Sequence, residues 1–210
     1  MGYGMLGTMR RQDAVGDEDA ALVERARRGD REAFRELVDA HLSRVWAIVF
    51  RILRHREDTE DVVQEVFLAA HRALPAYRGE SRLSTWLHRI AVNRALNFRE
   101  RAAEKMRRAS QSADDPPGAA EEGTVLPFPA LASDGPSPLQ ELEAKELRRR
   151  LADCLKKLPA AWRAALALRD GESLPYEEIA RTLEIALGTV RSRLARARLA
   201  LRRCVEGGTT

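Results

Sequence analysis

Between Asp114 and Pro138 the chain carries six of its nine prolines, separated by glycines, small residues and acids. A proline has no amide hydrogen to donate and holds φ near one value, so no regular helix can run through such a stretch. It reads as an extended acidic linker over residues 106–138, and it splits the chain into two small flanks. Domains of that size bury modest cores and must complete them by close helix packing.

Both flanks are helical by period. In the first, Ala21, Leu22 and Ala26 recur at helical spacing, then Ala33, Phe34, Leu37 and Val38 after the Gly29-Asp30 break. Val45, Trp46, Ile48, Val49, Ile52 and Leu53 continue the pattern, and Val63, Val66, Phe67, Ala70 and Leu74 form one stripe within His55–Ala73. Pro75 to Gly79 interrupt it, and a last helix is expected over Leu83–Glu104 with Ser81 or Ser84 as its N-cap. The second flank gives helices over Leu139–Leu158 (stripe Leu147, Leu151, Cys154, Leu158), Ala160–Arg169, Tyr176–Leu183 and Gly188–Arg203. The predicted fold class is all-α: two small helical domains, 18–105 and 139–206, joined by the proline-rich linker, with residues 1–17 disordered.

Composition agrees. Hydrophobic residues at 44% exclude wholesale disorder, while 32% charged and 5% aromatic residues favour exposed helices over sheet. No apolar run approaches the roughly 18 residues that cross a bilayer, and no basic leader precedes an apolar segment, so a cytoplasmic location without membrane insertion is expected. Cys154 and Cys204 make no disulfide framework and no Cys/His pair has zinc-ligand spacing, so no metal and no cofactor are expected. Both cysteines lie on apolar stripes, which suggests buried inert thiols in a reducing compartment, with a redox sensor as the alternative.

Charge is informative once divided. Residues 141–210 carry 15 basic against 10 acidic side chains, and between Leu187 and Arg203 stand six arginines and no acid. A polyanion is the natural partner of such a block. It begins within Tyr176-Glu177-Glu178-Ile179-Ala180-Arg181-Thr182-Leu183, a tight turn, then Gly188-Thr189-Val190-Arg191-Ser192-Arg193-Leu194, which is helix-turn-helix spacing. At about 100° per residue, Arg191, Ser192, Ala195, Arg196 and Leu199 stand opposite a Val190–Leu194–Ala197–Leu201 stripe, with Arg193 and Arg198 flanking. Guanidinium forks there match guanine edges or bridge phosphates.

Two further patterns stand in the first flank. In Asp58-x-Glu60-Asp61-x-x-Gln64-Glu65-x-Phe67-Leu68, the residues Asp61, Gln64, Glu65, Leu68 and Arg72 share the polar face of the helix. An acidic surface holding an exposed leucine suits a basic protein partner. The segment Tyr77-Arg78-Gly79-Glu80-Ser81-Arg82-Leu83-Ser84-Thr85-Trp86-Leu87 places an aromatic ring, arginines and hydroxyls before a basic helix, a composition fit for unstacked bases; Trp86 itself reads as core.

Taken in order, Asp-x-x-Gln-Glu-x-Phe, Tyr-Arg-Gly-Glu-Ser-x-x-x-Thr-Trp-Leu-x-x-Ile-Ala-x-Asn, and Glu-Ile-Ala followed by Gly-Thr-Val-Arg-Ser-Arg-Leu-x-Arg-Ala-Arg resemble the extracytoplasmic-function (ECF) group of the sigma-70 family. The resemblance spans about residues 18 to 204. It implies a bacterial transcription initiation factor, without enzymatic activity, that binds core RNA polymerase and promoter DNA. The first domain would be sigma-two-like and the second sigma-four-like. Carried over by position, Asp58, Asp61, Gln64, Glu65 and Leu68 would face the clamp coiled coil of the largest polymerase subunit, with the flap as a second contact. Tyr77, Arg78, Ser81, Arg82, Ser84, Asn93 and Asn97 would take the melted −10 element. Thr189, Arg191, Ser192, Arg193, Arg196 and Arg198 would lie on the −35 element. The linker would thread toward the active-site channel, and an anti-sigma factor and a stress- or signal-responsive regulon would be expected.

The chain departs from the family pattern at its turn, Leu183-Glu184-Ile185-Ala186-Leu187, where glycine usually follows the first leucine and serine or proline stands at the Ala186 position. Glu184 is therefore expected in a left-handed conformation, and Ala186 gives the next helix no side-chain cap. The residues alone leave two rivals: a response-regulator-like helix-turn-helix repressor, which would need a dimer interface, and a decoy interaction protein that binds polymerase or a regulator but no promoter, its turn being degraded.

Overall fold

The computed structural model describes residues 19–110 and 138–207. The expected disordered N-terminus and most of the proline-rich stretch, with its Leu126-Pro127-Phe128-Pro129 island, lie outside the described residues. Those described are helical, without strands: α1 (residues 19–27), α2 (Arg31–Leu53), α3 (Arg56–Ala73), α4 (Leu83–Ser110), α5 (Pro138–Lys157), α6 (Ala160–Leu166), α7 (Tyr176–Leu183) and α8 (Leu187–Glu206).

Local chemistry sets the ends of these helices. Gly29, at φ 91°, closes α1, and the Asp30 carboxylate then accepts from the amides of Glu32 and Ala33, capping α2. Those amide bonds and Arg25 hold the Asp30 carboxyl below its ordinary range. Arg54, left-handed at φ 60°, ends α2, and the His55 ring accepts from Asp58 N to open α3. A 3-10 turn over Leu74–Ala76 carries the chain out of α3. Leu83 opens α4, so Arg82 precedes the helix and neither Ser81 nor Ser84 stands at its cap. That helix runs on through Ser110, past the expected linker start at 106. After α6 the helix widens into a π turn, Ala167–Gly171. Gly171 lies beneath Arg51, and a Cβ there would come within 2.2 Å of Arg51 Nη1.

Helices α2, α3 and α4 pack on one another around Val45, Ile48, Val49, Ile52, Val62, Val66, Ala91 and Val92. Each such aliphatic side chain stabilises the fold by roughly 1.5–3 kcal/mol when fully buried. In the second domain α6, α7 and α8 enclose Leu168, Ile179, Val190, Leu194 and Ala197, and α5 lies along α8.

The two domains pack against each other. Helix α6 meets α2 and α4, α7 meets α4, and one apolar cluster runs through both domains. Arg163, on α6 and 2% exposed, donates Nε–H to Ile52 O at 2.7 Å and Nη1–H to Leu158 O at 2.8 Å, Lys156 O at 3.0 Å and Leu155 O at 3.3 Å. One guanidinium thus serves the carbonyls at the ends of α2 and α5, where a helix leaves such groups without intrahelical partners; Leu155 O also accepts from the Leu158 amide at 3.2 Å. Arg51 Nη1 meets Glu172 at 3.1 Å, and Arg89 Nε meets Glu184 at 3.2 Å across the same seam.

Two expectations are corrected. Cys154 and Cys204 are not free thiols: they form a disulfide between α5 and α8, because the two helices pack side by side and bring residues 50 positions apart together. Leu147, placed on the α5 core stripe by its spacing, is 54% exposed, since the first half of α5 extends beyond the body of the domain.

Candidate nucleic-acid and protein interface

Helix α8 is presented by the turn before it. Glu184 takes φ 54°, ψ 43°, the left-handed conformation its place in the turn demanded. Its amide bonds back to Arg181 O, and that of Ile185 to Ala180 O at 3.0 Å, closing α7. Ala186 caps α8 without a side-chain hydrogen bond. Inside the helix Val190, Leu194 and Ala197 are buried, while Arg191, Ser192, Ala195, Arg196, Arg198 and Leu199 are exposed and Thr189 and Arg193 half-buried. The wheel drawn from the sequence is thus the arrangement seen, except that Leu201 is only half-buried. With no acid in its first turn, the amide end of α8 adds positive potential to the arginine face, which suits phosphate.

The flanking arginines are held differently. Arg198 Nη2 bonds Asp170 at 2.7 Å, an acid of the π turn that the sequence pattern did not single out. This bond raises the Arg198 pKa further above neutrality. Ser192 donates its hydroxyl hydrogen to Thr189 O at 3.0 Å. Arg169, over the Tyr176 ring at 5.0 Å and bonded to Leu174 O at 2.9 Å, fixes the entry to α7.

On α3, Asp61, Gln64, Glu65 and Arg72 are exposed with Leu68, 52% exposed, among them. Val62, Val63, Val66 and Ala70 fill the opposite side. Asp58 stands apart, half-buried with its carboxylate 3.4 Å from His55 Nδ1 at the helix start. Glu65 lies 3.9 Å from Arg94 of α4, so the acidic face adjoins the basic helix.

The loop before α4 is braced from within. The Tyr77 hydroxyl donates to Ser81 O, and its ring packs at 5.1 Å on Trp86, which is half-buried. Burial raises the Tyr77 phenol pKa. Arg78, Ser81 and Arg82 are exposed, Ser84 is half-buried, and Asn93 and Asn97 project to solvent from α4. The structure therefore gathers the loop polar groups and the two asparagines along one helix and its approach, with Tyr77 as a brace.

Nothing in the sequence shows that Arg89 and Glu184 meet. Their pairing sets the turn ahead of α8 against α4, and only the packing of the domains reveals it. Among the described residues no cluster of His, Cys, Asp and Glu is placed to hold a metal ion, and no helix is long and apolar enough to cross a membrane.

An all-α body, a helix-turn-helix with an outward arginine face and an exposed acidic face on α3 are the build of a DNA-binding transcription protein. Residues 37–105 match the family model described as Sigma-70 region 2, and residues 148–201 that described as Sigma-70, region 4. The chain is 39% identical over 180 residues to the ECF RNA polymerase sigma-E factor of Haemophilus influenzae, covering 86% of this chain and 91% of that protein. It belongs to the ECF group of the sigma-70 family, and is a sigma factor that directs transcription initiation rather than an enzyme. The Escherichia coli K12 ECF RNA polymerase sigma-E factor is 38% identical over 183 residues, 87% of this chain and 92% of its own. The RNA polymerase sigma-H factor of Pseudomonas aeruginosa is 35% identical over 190 residues, 90% and 95% of the two chains. In fold the chain is similar to the sigma factor RpoE solved with the anti-sigma factor NepR from Bartonella quintana. That match has a TM-score of 0.60 at 24% identity and covers 82% of this chain and 96% of the other.

Proposed function

We propose that the two domains, 18–105 and 139–206 joined through 106–138, divide promoter recognition between them. The exposed face of α8, with Arg191 and Arg196 toward base edges, Ser192 beside them and Thr189, Arg193 and Arg198 toward phosphates, reads the −35 element. Arg78, Ser81, Arg82, Ser84, Asn93 and Asn97 take the melted −10 strand, with Tyr77 holding the loop. Asp61, Gln64, Glu65 and Leu68 dock the clamp coiled coil of core polymerase, Asp58 supports that helix end, and the second domain meets the flap. The protein works in the cytoplasm and is held in check by an anti-sigma factor, as the names of its fold relatives suggest.

The observation that carries this reading is the division of α8: Val190, Leu194 and Ala197 wholly inward, Arg191 and Arg196 wholly outward. A bidentate arginine–guanine contact discriminates by about 1–3 kcal/mol, whereas a phosphate contact weakens every sequence alike. Arg191→Ala and Arg196→Ala, assayed as holoenzyme on promoters varied upstream, are expected each to relax preference at one position. Arg198→Ala is expected to lower affinity uniformly and flatten the salt dependence by about one counterion. Uniform losses for all three would refute base reading by this helix.

A further inference from the structure

We propose that Cys154 and Cys204 are a reversible thiol–disulfide site through which the redox state of the cell sets how firmly α5 is held to α8, the DNA-reading helix. Cys154, 4% exposed, lies in the last turns of α5, and half-buried Cys204 lies in the last turn of α8. Their Cα atoms are 5.8 Å apart, within the span a disulfide bridges without backbone movement. Reduced or oxidised, the same backbone serves.

Little else fastens α5. Among the described elements it packs mainly on α8. Its first half carries Leu142 and Leu147, 62% and 54% exposed. At its end Arg163 holds the Leu155 and Lys156 carbonyls. The cysteine pair is the only covalent tie, and it closes 50 residues that contain α6, the π turn, α7 and nearly all of α8. Opening α5 away from α8 is possible in the dithiol and blocked at its root in the disulfide. Cys204 stands 13 positions beyond Arg191, about 20 Å along a helix, so the bond stiffens the module without touching the base-reading turn.

This inference rests on the cytoplasmic reading above. That compartment keeps thiols reduced, so the dithiol is the resting form and the disulfide the response to a hydroperoxide. The order of steps follows from burial. The Cys204 thiolate, reachable from solvent, attacks one peroxide oxygen, the O–O bond breaks, and a sulfenic acid forms as hydroxide leaves and takes up the proton the thiol had released, giving water. Buried Cys154 then attacks the Cys204 sulfur, the S–O bond breaks, and the departing hydroxide takes the Cys154 proton as a second water. Two thiols lose two hydrogens and one peroxide is reduced; a dithiol reductant reverses it.

The test uses the full chain, reduced with dithiothreitol or treated with hydrogen peroxide, and read by intact mass, thermal melting, limited trypsin digestion and promoter-directed transcription with core polymerase. Expected on oxidation are the loss of two hydrogens, a melting rise of about 10 °C from closing so long a loop, and roughly tenfold slower cutting at Arg148, Arg149 and Arg150. Promoter preference stays the same. Cys204→Ser and Cys154→Ser are expected to remove the peroxide effect and melt like the reduced protein. Two free thiols after peroxide, identical melting and digestion of the two forms, or a peroxide effect that survives in Cys204→Ser would each overturn the proposal. A chain silent in transcription in both redox states would refute the sigma-factor roles while leaving the melting and digestion shifts standing.

Discussion

Replacing Arg163 with methionine removes one guanidinium and strands the carbonyls of Ile52, Lys156 and Leu158 at the ends of α2 and α5, while Leu155 O keeps the Leu158 amide. An unsatisfied buried acceptor costs about 1–3 kcal/mol, so three of them cost roughly 6 kcal/mol if all are fully dry. Against this stands a relief. Burial, with Arg99 and Arg54 nearby, pushes the Arg163 pKa down to about 10 from 12.5, a penalty of about 3 kcal/mol at 1.4 per unit. Methionine carries no such penalty and fills most of the volume. The Lys156 carbonyl is only partly buried, which lowers the total further. The balance is a net loss of about 2 kcal/mol, or roughly 5 °C in melting temperature for a chain of this size. Arg163→Lys keeps the charge but not the fork and is expected to lose about half as much. Urea unfolding followed by circular dichroism measures both. A loss below about 1 kcal/mol for Arg163→Met would show that these carbonyls find other partners and that the joint does not depend on this side chain.

Charge reversal at Asp61 and Glu65 is expected to weaken core-polymerase binding while leaving helicity unchanged, because both stand on the exposed face of α3; unchanged affinity in a binding titration would remove α3 from the interface. Tyr77→Ala frees the loop from Ser81 and Trp86 and is expected to slow open-complex formation on duplex promoters more than on pre-melted bubbles; equal losses would place its effect elsewhere. His88 is buried and held neutral, its pKa lowered to about 4 chiefly by desolvation and further by His41 and Arg44. Glu172, 3.9 Å from its Nε2, is engaged by Arg51 at 3.1 Å. The unfolded ring takes its proton near pH 6.5 and the folded ring near pH 4, so this stability is full above pH 6.5 and lost as pH falls toward 4, about 3 kcal/mol in all. His88→Leu is expected to flatten that dependence in urea melts, and an unchanged slope would count against the assignment.

Periodicity is enough to place the helices, though not every stripe position is buried, as Leu147 of α5 and Leu201 of α8 show. Val190, Leu194 and Ala197 could be placed inward, and the arginines outward, from spacing alone. The left-handed Glu184 was legible too, since the turn requires that conformation whatever residue stands there. Long-range pairings were not. Nothing local to Cys154 announces Cys204, because their meeting depends on α5 packing along α8, and nothing near Arg163 announces the Ile52 carbonyl, because that meeting depends on how the two domains dock. Tyr77 shows a subtler limit. Its composition suits stacking on a base, yet its ring and hydroxyl are engaged by Trp86 and Ser81, which a motif cannot display.

The account is tested most directly by run-off transcription with purified core RNA polymerase, this chain, and duplex templates carrying −35 and −10 elements, with core alone beside it. A transcript from one start site that depends on the chain, and is lost when either element is scrambled, is the predicted result. Sequence-specific duplex binding by the chain without polymerase, or tight polymerase binding with no promoter-dependent transcript, would contradict it.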